Sequence, residues 1–217
     1  MRGVDPARAL IPMLLVLFLY ATVSAPQQKK PPARSGWIFH QARSEMTDSP
    51  VLTLELPASN VVQGRYRSYR PRLFIRCREG TLDTFVDVGM PADSTANSLG
   101  TLISPVRVRL DAGKAGSEWW APGALATLFA AGVDDALSGE KYPGRLARAA
   151  SFLFEFTPAR GSPQVARFDL RGLGAVVGRV SRACGYDFAE DHGIWKFDEK
   201  VQEAALAAYK KPRPPQK

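Results

Sequence analysis

The chain has 217 residues, 45% of them hydrophobic, and its 29 basic and 21 acidic residues give a formal net charge of +8. It contains two cysteines and two histidines, and they do not have the spacing of the ligands of a zinc site. The length fits one domain of ordinary size, or one domain and an appendage, and the sequence shows no internal repeat.

The first predicted element is an export signal. Arg2 and Arg8 flank a short polar start, and the run Ala9–Ala25 that follows is mostly apolar and ends in small residues. This layout is typical of a secretory signal, and it is shorter than the roughly 20 residues of a membrane-spanning helix. We therefore expect residues 1–25 to be a signal peptide or, if uncleaved, an N-terminal anchor, and the protein to be periplasmic.

The positive charge lies in the two ends of the chain. Residues 1–34 hold five basic residues against Asp5, and residues 210–217 hold four basic residues and no acidic one, so the intervening body is neutral. A nucleic-acid-binding domain would carry its charge on the body, and this distribution argues against one. Residues 26–36, with Pro31 and Pro32, are predicted to be a disordered linker, and residues 211–217 a disordered basic tail. Such tails are solvated or contact an acidic membrane surface.

Residues 37–187 are predicted to form a single β-rich domain. Alternating apolar and polar residues indicate strands at 37–43, 51–56, 73–78, 81–88, 106–111, 151–156 and 164–170. Glu79-Gly80 predicts a tight hairpin turn, and the Pro- and Gly-containing stretch before Gln164 predicts a second hairpin. The fold class is therefore mainly β (α+β), an antiparallel sheet or sandwich.

The apolar spacing of residues 173–184 predicts the one packed helix, closed by Gly185 just past its end. Residues 188–210 are predicted to be a C-terminal extension with a short helix that begins at Asp198. Residues 133–138 are a candidate for a further helical turn.

The two cysteines are predicted to form a disulfide. Cys77 lies on the apolar face of its predicted strand and Cys184 on the apolar face of the predicted helix, so both point towards the core. Export to an oxidising compartment favours a bond between them. The alternative is two separate buried thiols.

A basic, aromatic loop is the candidate binding surface. Arginine alternates with tyrosine between residues 65 and 72, which suits an anionic ligand or partner, although charge runs are more often solvated faces. Adjacent tryptophans on a strand face opposite ways, so one of the pair at 119–120 is a candidate for exposure. The candidate residues are Arg65, Arg67, Arg70, Arg72, Tyr66, Tyr69, Trp119 and Trp120.

No catalytic, metal or cofactor motif is present in the sequence. It has no nucleophile elbow, phosphate-binding glycine loop or dinucleotide fingerprint. Asp134, Asp135 and the cluster Glu190–His192 are the candidates for a hydrolase. The residues therefore favour a protein that binds other molecules over an enzyme, with no catalytic residue, metal or cofactor assigned.

Several segments together carry a family resemblance. They are Leu73-Phe-Ile-Arg-Cys77, the hairpin strand Thr81–Asp87, the Val-Arg-Val-Arg-Leu-Asp strand at 106–111 with tryptophan soon after, and the stretch from Ala166 to Gly185. Over about residues 37–186 the chain resembles the VasI/EvfG-like proteins associated with bacterial type VI secretion systems. The resemblance implies an accessory, non-enzymatic protein whose partner is an envelope or secretion-system protein. The alternative from the residues is an envelope module that binds an anionic ligand or cell-wall polymer through the Arg/Tyr loop.

Overall fold

A computed structural model of the protein describes residues 36–130 and 138–187, together with Lys200, Glu203, Ala204 and Ala207. The predicted signal 1–25, the linker up to residue 35 and the basic tail 211–217 lie outside the described residues, as does most of the extension 188–210. Within the described part of the chain, no helix has the length and apolar character needed to cross a membrane.

The described residues form twelve strands. The first six are β1 (Ile38–Arg43), β2 (Pro50–Pro57), β3 (Val62–Gln63), β4 (Ser68–Tyr69), β5 (Arg72–Arg78) and β6 (Thr81–Asp87). The other six are β7 (Thr95–Ala96), β8 (Leu102–Leu110), β9 (Gly116–Pro122), β10 (Thr127–Phe129), β11 (Ser151–Phe156) and β12 (Gln164–Asp169). The predicted fold class, mainly β with some helix, is confirmed.

Ten of these strands form one sheet. Nine lie side by side in the order β1-β2-β5-β6-β10-β9-β8-β11-β12, and β7 pairs with one end of β8. Every pairing is antiparallel. The remaining strands, β3 and β4, form a separate two-stranded ribbon. Strands β1 and β12 are the two edges of the large sheet.

The two predicted hairpins are confirmed. Arg78 pairs with Thr81 across Glu79 and Gly80, and both turn residues have positive φ, of 52° and 80°. A two-residue turn of that handedness matches the twist of the flanking strands. The second hairpin joins β11 to β12, with Phe156 opposite Gln164.

The core follows from the alternation of the strands. Every second residue of β2, β5 and β11 is buried, because one face of each strand points inward. The largest side chains that are almost completely buried are Trp120, Phe152, Phe154 and Phe156. Trp120 packs against Phe154, with ring centroids 4.8 Å apart. Burial of such a set is the main favourable contribution to folding.

A broken helical segment covers part of the inner face. It follows helix α1 (Ser138–Ala147) and consists of α2 (Leu173–Val176), α3 (Gly178–Ser181) and a 3-10 turn, Arg182–Cys184. The segment ends at Gly185, which has φ of 82°. This matches the predicted range 173–184. Leu173, Val177 and Val180 are buried, and α3 contacts β2 and β5. Helix α1 contains Pro143 and contacts β6.

The predicted disulfide is confirmed. Cys77 of β5 is bonded to Cys184 at the end of the helical segment, with Cα atoms 5.8 Å apart. Both cysteines are buried in the core. The bond fixes the helical segment to the centre of the β2-β5-β6 half of the sheet.

The edge of β12 is covered by the segment that follows β2. Ser59 donates its backbone N–H to the carbonyl of Arg167. The Asn60 side chain donates to the carbonyl of Val165 and accepts from the N–H of Arg167, both at 2.8 Å. Asn60 thus satisfies groups that an edge strand leaves open, and it brings the two ends of the sheet together.

The remaining predicted helices fall largely outside the described residues. Residues 133–137 of the candidate turn are outside, and the helix Ser138–Ala147 begins at its last residue. Within the predicted C-terminal helix, Lys200, Glu203, Ala204 and Ala207 are helical and exposed.

Loss of the disulfide should weaken the domain strongly. The bond joins residues 107 apart in sequence, and restricting so long a loop in the unfolded chain is worth roughly 3–5 kcal/mol. We expect the double substitution Cys77→Ala and Cys184→Ala to lower the free energy of unfolding by about that amount, measured by urea denaturation. An unchanged unfolding midpoint would show that the bond does not stabilise the fold.

Candidate binding cleft

A cleft of about 510 Å³ lies where three segments meet. One is the tip of the β3–β4 ribbon, residues 64–67; the second is the stretch 89–91 after β6; the third is the stretch 158–160 after β11. Its size is within the range of clefts that bind small ligands or a few residues of a peptide, about 300–1,000 Å³.

Two of the walls are held together by backbone hydrogen bonds. Ala159 donates its N–H to the carbonyl of Pro91 at 2.9 Å, and Asp93 donates to the carbonyl of Thr157 at 2.7 Å. Ala92 and Pro158 form an isolated antiparallel bridge between the same segments. These bonds hold together the two segments that carry Met90 and Pro158, which line the cleft and form its apolar floor.

The third wall, the β3–β4 ribbon, is tied down at its base. The N–H of Gln63 donates to the side chain of Gln164, and Arg70 donates to the carbonyl of Ala58. At the tip, Gly64 donates to the carbonyl of Arg67, and a Cβ on Gly64 would lie 2.8 Å from that oxygen. Glycine therefore lets the loop turn tightly above Met90.

Tyr69 packs on the backbone of Gly89, behind the cleft. Its hydroxyl donates to Asp87, which also accepts from Arg72 and from the N–H of Gly89. Burial and the bond to Asp87 raise the pKa of Tyr69, and the bond to Asp87 raises the pKa of Arg72 further above its ordinary value. The tyrosine therefore stays a neutral hydrogen-bond donor. Arg72 forms ion pairs with Asp87 and Glu55.

The predicted Arg/Tyr surface thus divides in two. Arg65, Tyr66 and Arg67 line the cleft and are exposed, Tyr66 by 86%. Arg70, Arg72 and Tyr69 support the ribbon instead, through the bonds described above.

The paired tryptophans of β9 face opposite ways. Trp119 is 48% exposed and lies opposite Pro105 of β8, whereas Trp120 is 1% exposed. Neither lines the cleft. Trp119 remains a candidate surface residue, and Trp120 belongs to the core.

Sequence reasoning missed the other residues of the cleft, among them Met90, Pro91, Pro158 and Arg160. Met90 and Pro91 lie about 20 residues beyond the end of the Arg/Tyr loop, and Pro158 and Arg160 lie more than 80 residues beyond it. A single arginine in a Pro- and Gly-containing turn gives no signal of its own. Only the pairing of strands around the sheet brings these residues together.

A polar cluster that the sequence did not indicate lies on Glu118 of β9. Its carboxylate accepts hydrogen bonds from Trp120 Nε1 at 3.0 Å, from the Tyr142 hydroxyl at 2.9 Å and from Arg145 at 3.2 Å. Burial raises the pKa of Tyr142 well above its ordinary value, and the charge of Glu118 adds to the effect. All its donors are internal, so the cluster attaches the helix Ser138–Ala147 to the sheet.

The hydrolase candidates, Asp134, Asp135 and Glu190–His192, lie outside the described residues. His40 is exposed on β1 and forms a 2.9 Å contact with Glu55 of β2. Among the described residues, no three His, Cys, Asp or Glu side chains are grouped so that they would hold a metal ion.

Comparisons of the chain with protein-family models, with curated proteins and with solved structures found no match.

Substitution of Gly89 should disturb the cleft from behind. Gly89 has φ of 72°, and a Cβ there would lie 2.1 Å from the ring of Tyr69. Gly100 is a matched control, because it has φ of 76° and no atom within 4 Å of its added Cβ. Since overpacking costs about 1–3 kcal/mol beyond the backbone strain that both share, Gly89→Ala should lower the free energy of unfolding by about 2 kcal/mol more than Gly100→Ala. Equal losses in urea denaturation would contradict the packing of Tyr69 on Gly89.

Alkaline pH should destabilise the domain through Tyr142. Its pKa in the folded protein lies above the ordinary value of 10.0, so the unfolded chain loses the phenolic proton first. The contribution of Tyr142 to the free energy of unfolding is therefore fully present below about pH 10. It falls as the pH rises further, by at most about 1.4 kcal/mol per pH unit. Tyr142→Phe should make this fall less steep in unfolding curves measured on both sides of pH 10. The same slope in both proteins would contradict the burial of a neutral phenol.

Proposed function

We propose that this chain is an exported accessory protein of the bacterial cell envelope that acts by binding another protein, and that the cleft is its binding site. The observation that carries the proposal is the tip of the β3–β4 ribbon. Arg65, Tyr66 and Arg67 stand exposed over an apolar floor, while the rest of the ribbon is bonded to the sheet.

Export and a periplasmic location are supported by two features. Residues 1–25 have the layout of a secretory signal, and the domain is cross-linked by a disulfide, a bond that persists in oxidising compartments. The resemblance to VasI/EvfG-like proteins makes a type VI secretion assembly the first place to look for the partner.

A second candidate function is an envelope module that binds an anionic cell-wall polymer. Arg65, Arg67 and Arg160 around one cleft favour it. This function would use the arginines and leave Met90 and Pro158 without a role, so the apolar floor favours the protein partner.

Photocrosslinking in the native host tests the proposed function. A photoreactive amino acid in place of Tyr66 should capture an envelope protein, because this side chain projects over the cleft. The same group in place of Arg109, an exposed residue of β8, is the control and should give no such product. Capture of only cytoplasmic proteins, or equal products from the two positions, would contradict the proposal.

A further inference from the structure

The cleft brings together three arginines that have no carboxylate partner among the described residues. Arg43, Arg70, Arg78, Arg109 and Arg167 also lack such a partner among those residues, but none of them lines the cleft. In the described part of the chain, other arginines lie within 4.0 Å of a carboxylate, among them Arg72 with Asp87, Arg76 with Asp83 and Arg107 with Glu155. Within the described part of the chain, Arg65, Arg67 and Arg160 have no such partner. They concentrate unneutralised positive charge on a body that is neutral overall.

The floor between them is apolar. Met90, Pro91, Pro158 and Ala159 line it, and Pro158 is buried. The exposed ring of Tyr66 extends this surface, with the guanidinium of Arg65 lying 5.2 Å from its centroid. A ligand that fills the cleft therefore has apolar groups for the floor and negative groups for the rim.

We propose that the cleft binds an acidic peptide segment of the partner protein, with an apolar side chain against Met90 and Pro158 and Asp or Glu carboxylates on Arg65, Arg67 and Arg160. This inference rests on the proposed function and specifies its ligand. The guanidinium fork matches a carboxylate in two parallel hydrogen bonds. A phosphate or uronate polymer is polar along its whole length and would leave the floor uncovered.

A useful affinity for the peptide requires both the arginines and the apolar floor of the cleft. An exposed ion pair changes an affinity by about fivefold at most, so three such pairs give roughly 100-fold and no more. The apolar floor must supply the rest of a useful affinity. The walls are held by backbone and side-chain bonds before any ligand arrives, which reduces the ordering that binding would otherwise require.

Fluorescence anisotropy with defined probes tests the proposal on the full chain recovered from its host. The main probe is a labelled peptide of alternating Glu and Leu with blocked ends. Two further peptides carry Gln in place of every Glu, or Ser in place of every Leu, and inorganic polyphosphate serves as a competitor. We expect the Glu/Leu peptide to bind at least about tenfold more tightly than either altered peptide.

Two charge-matched triple variants locate the binding. The cleft variant is Arg65→Gln, Arg67→Gln and Arg160→Gln, and it should weaken binding by about 10- to 100-fold. The control variant is Arg43→Gln, Arg78→Gln and Arg109→Gln. These three residues are exposed and lie towards the ends of their strands that are away from the cleft. The affinity of the control variant for the peptide should stay within about twofold of that of the unaltered protein. Matching urea unfolding midpoints for the two variants verify that both are folded.

The possible outcomes distinguish a failure of the acidic-peptide proposal from a failure of the proposed function. Equal binding by the two triple variants, or equal binding of the Glu and Gln peptides, overturns the acidic-peptide site. The proposal is also overturned if polyphosphate displaces the peptide completely and the peptide with Ser in place of Leu binds equally well. That result would point to an anionic polymer as the ligand. If the Tyr66 photocrosslink to an envelope protein persists in the background of Arg65→Gln, Arg67→Gln and Arg160→Gln, the proposed function stands and this inference fails. If the peptide binds but no envelope protein is captured, the proposed function is the one that fails.

Discussion

The fold depends on covering the inner face of one long antiparallel sheet. Nine strands side by side present more apolar surface on one face than a solvated sheet tolerates, so the sheet must close over it. The helical segment 173–184 covers the β2-β5 part of that face, and the Cys77–Cys184 bond holds it there. At the other end of the sheet, Asn60 closes the open edge of β12 with hydrogen bonds of its side chain.

The cleft is a consequence of that closure. Because Ser59 and Asn60 are fixed on β12, the ribbon that follows them stands beside the ends of β6 and β11. The segments after those strands bond to each other and form the floor. Loops positioned by a rigid frame are common binding sites, and here the frame leaves the tip of the ribbon exposed while it holds the base.

Strands with strict alternation were predictable, because a residue that points inward every second position leaves a readable pattern. Strands β2, β5, β8, β11 and β12 are of this kind. Strand β9 lacks the pattern, since Gly116, Pro122 and a pair of tryptophans interrupt it. Strand β10 has only 3 residues, too few to show an alternation. The helix Ser138–Ala147 was missed because Pro143 ordinarily breaks a helix, and here the burial of Tyr142 and Leu146 against the sheet outweighs that cost.

By itself the sequence determined the mainly β class, two hairpins, the range of the helical segment and the inward placement of both cysteines. These depend on local periodicity and turn chemistry, which neighbouring residues decide. It also singled out Arg65, Tyr66 and Arg67 by composition. Only the tertiary structure decided that Arg70 and Arg72 are structural, that Trp120 is buried, and that Arg160 and Met90 join the loop. Those outcomes depend on strand order and on pairing between distant segments, and no local pattern in the chain encodes either.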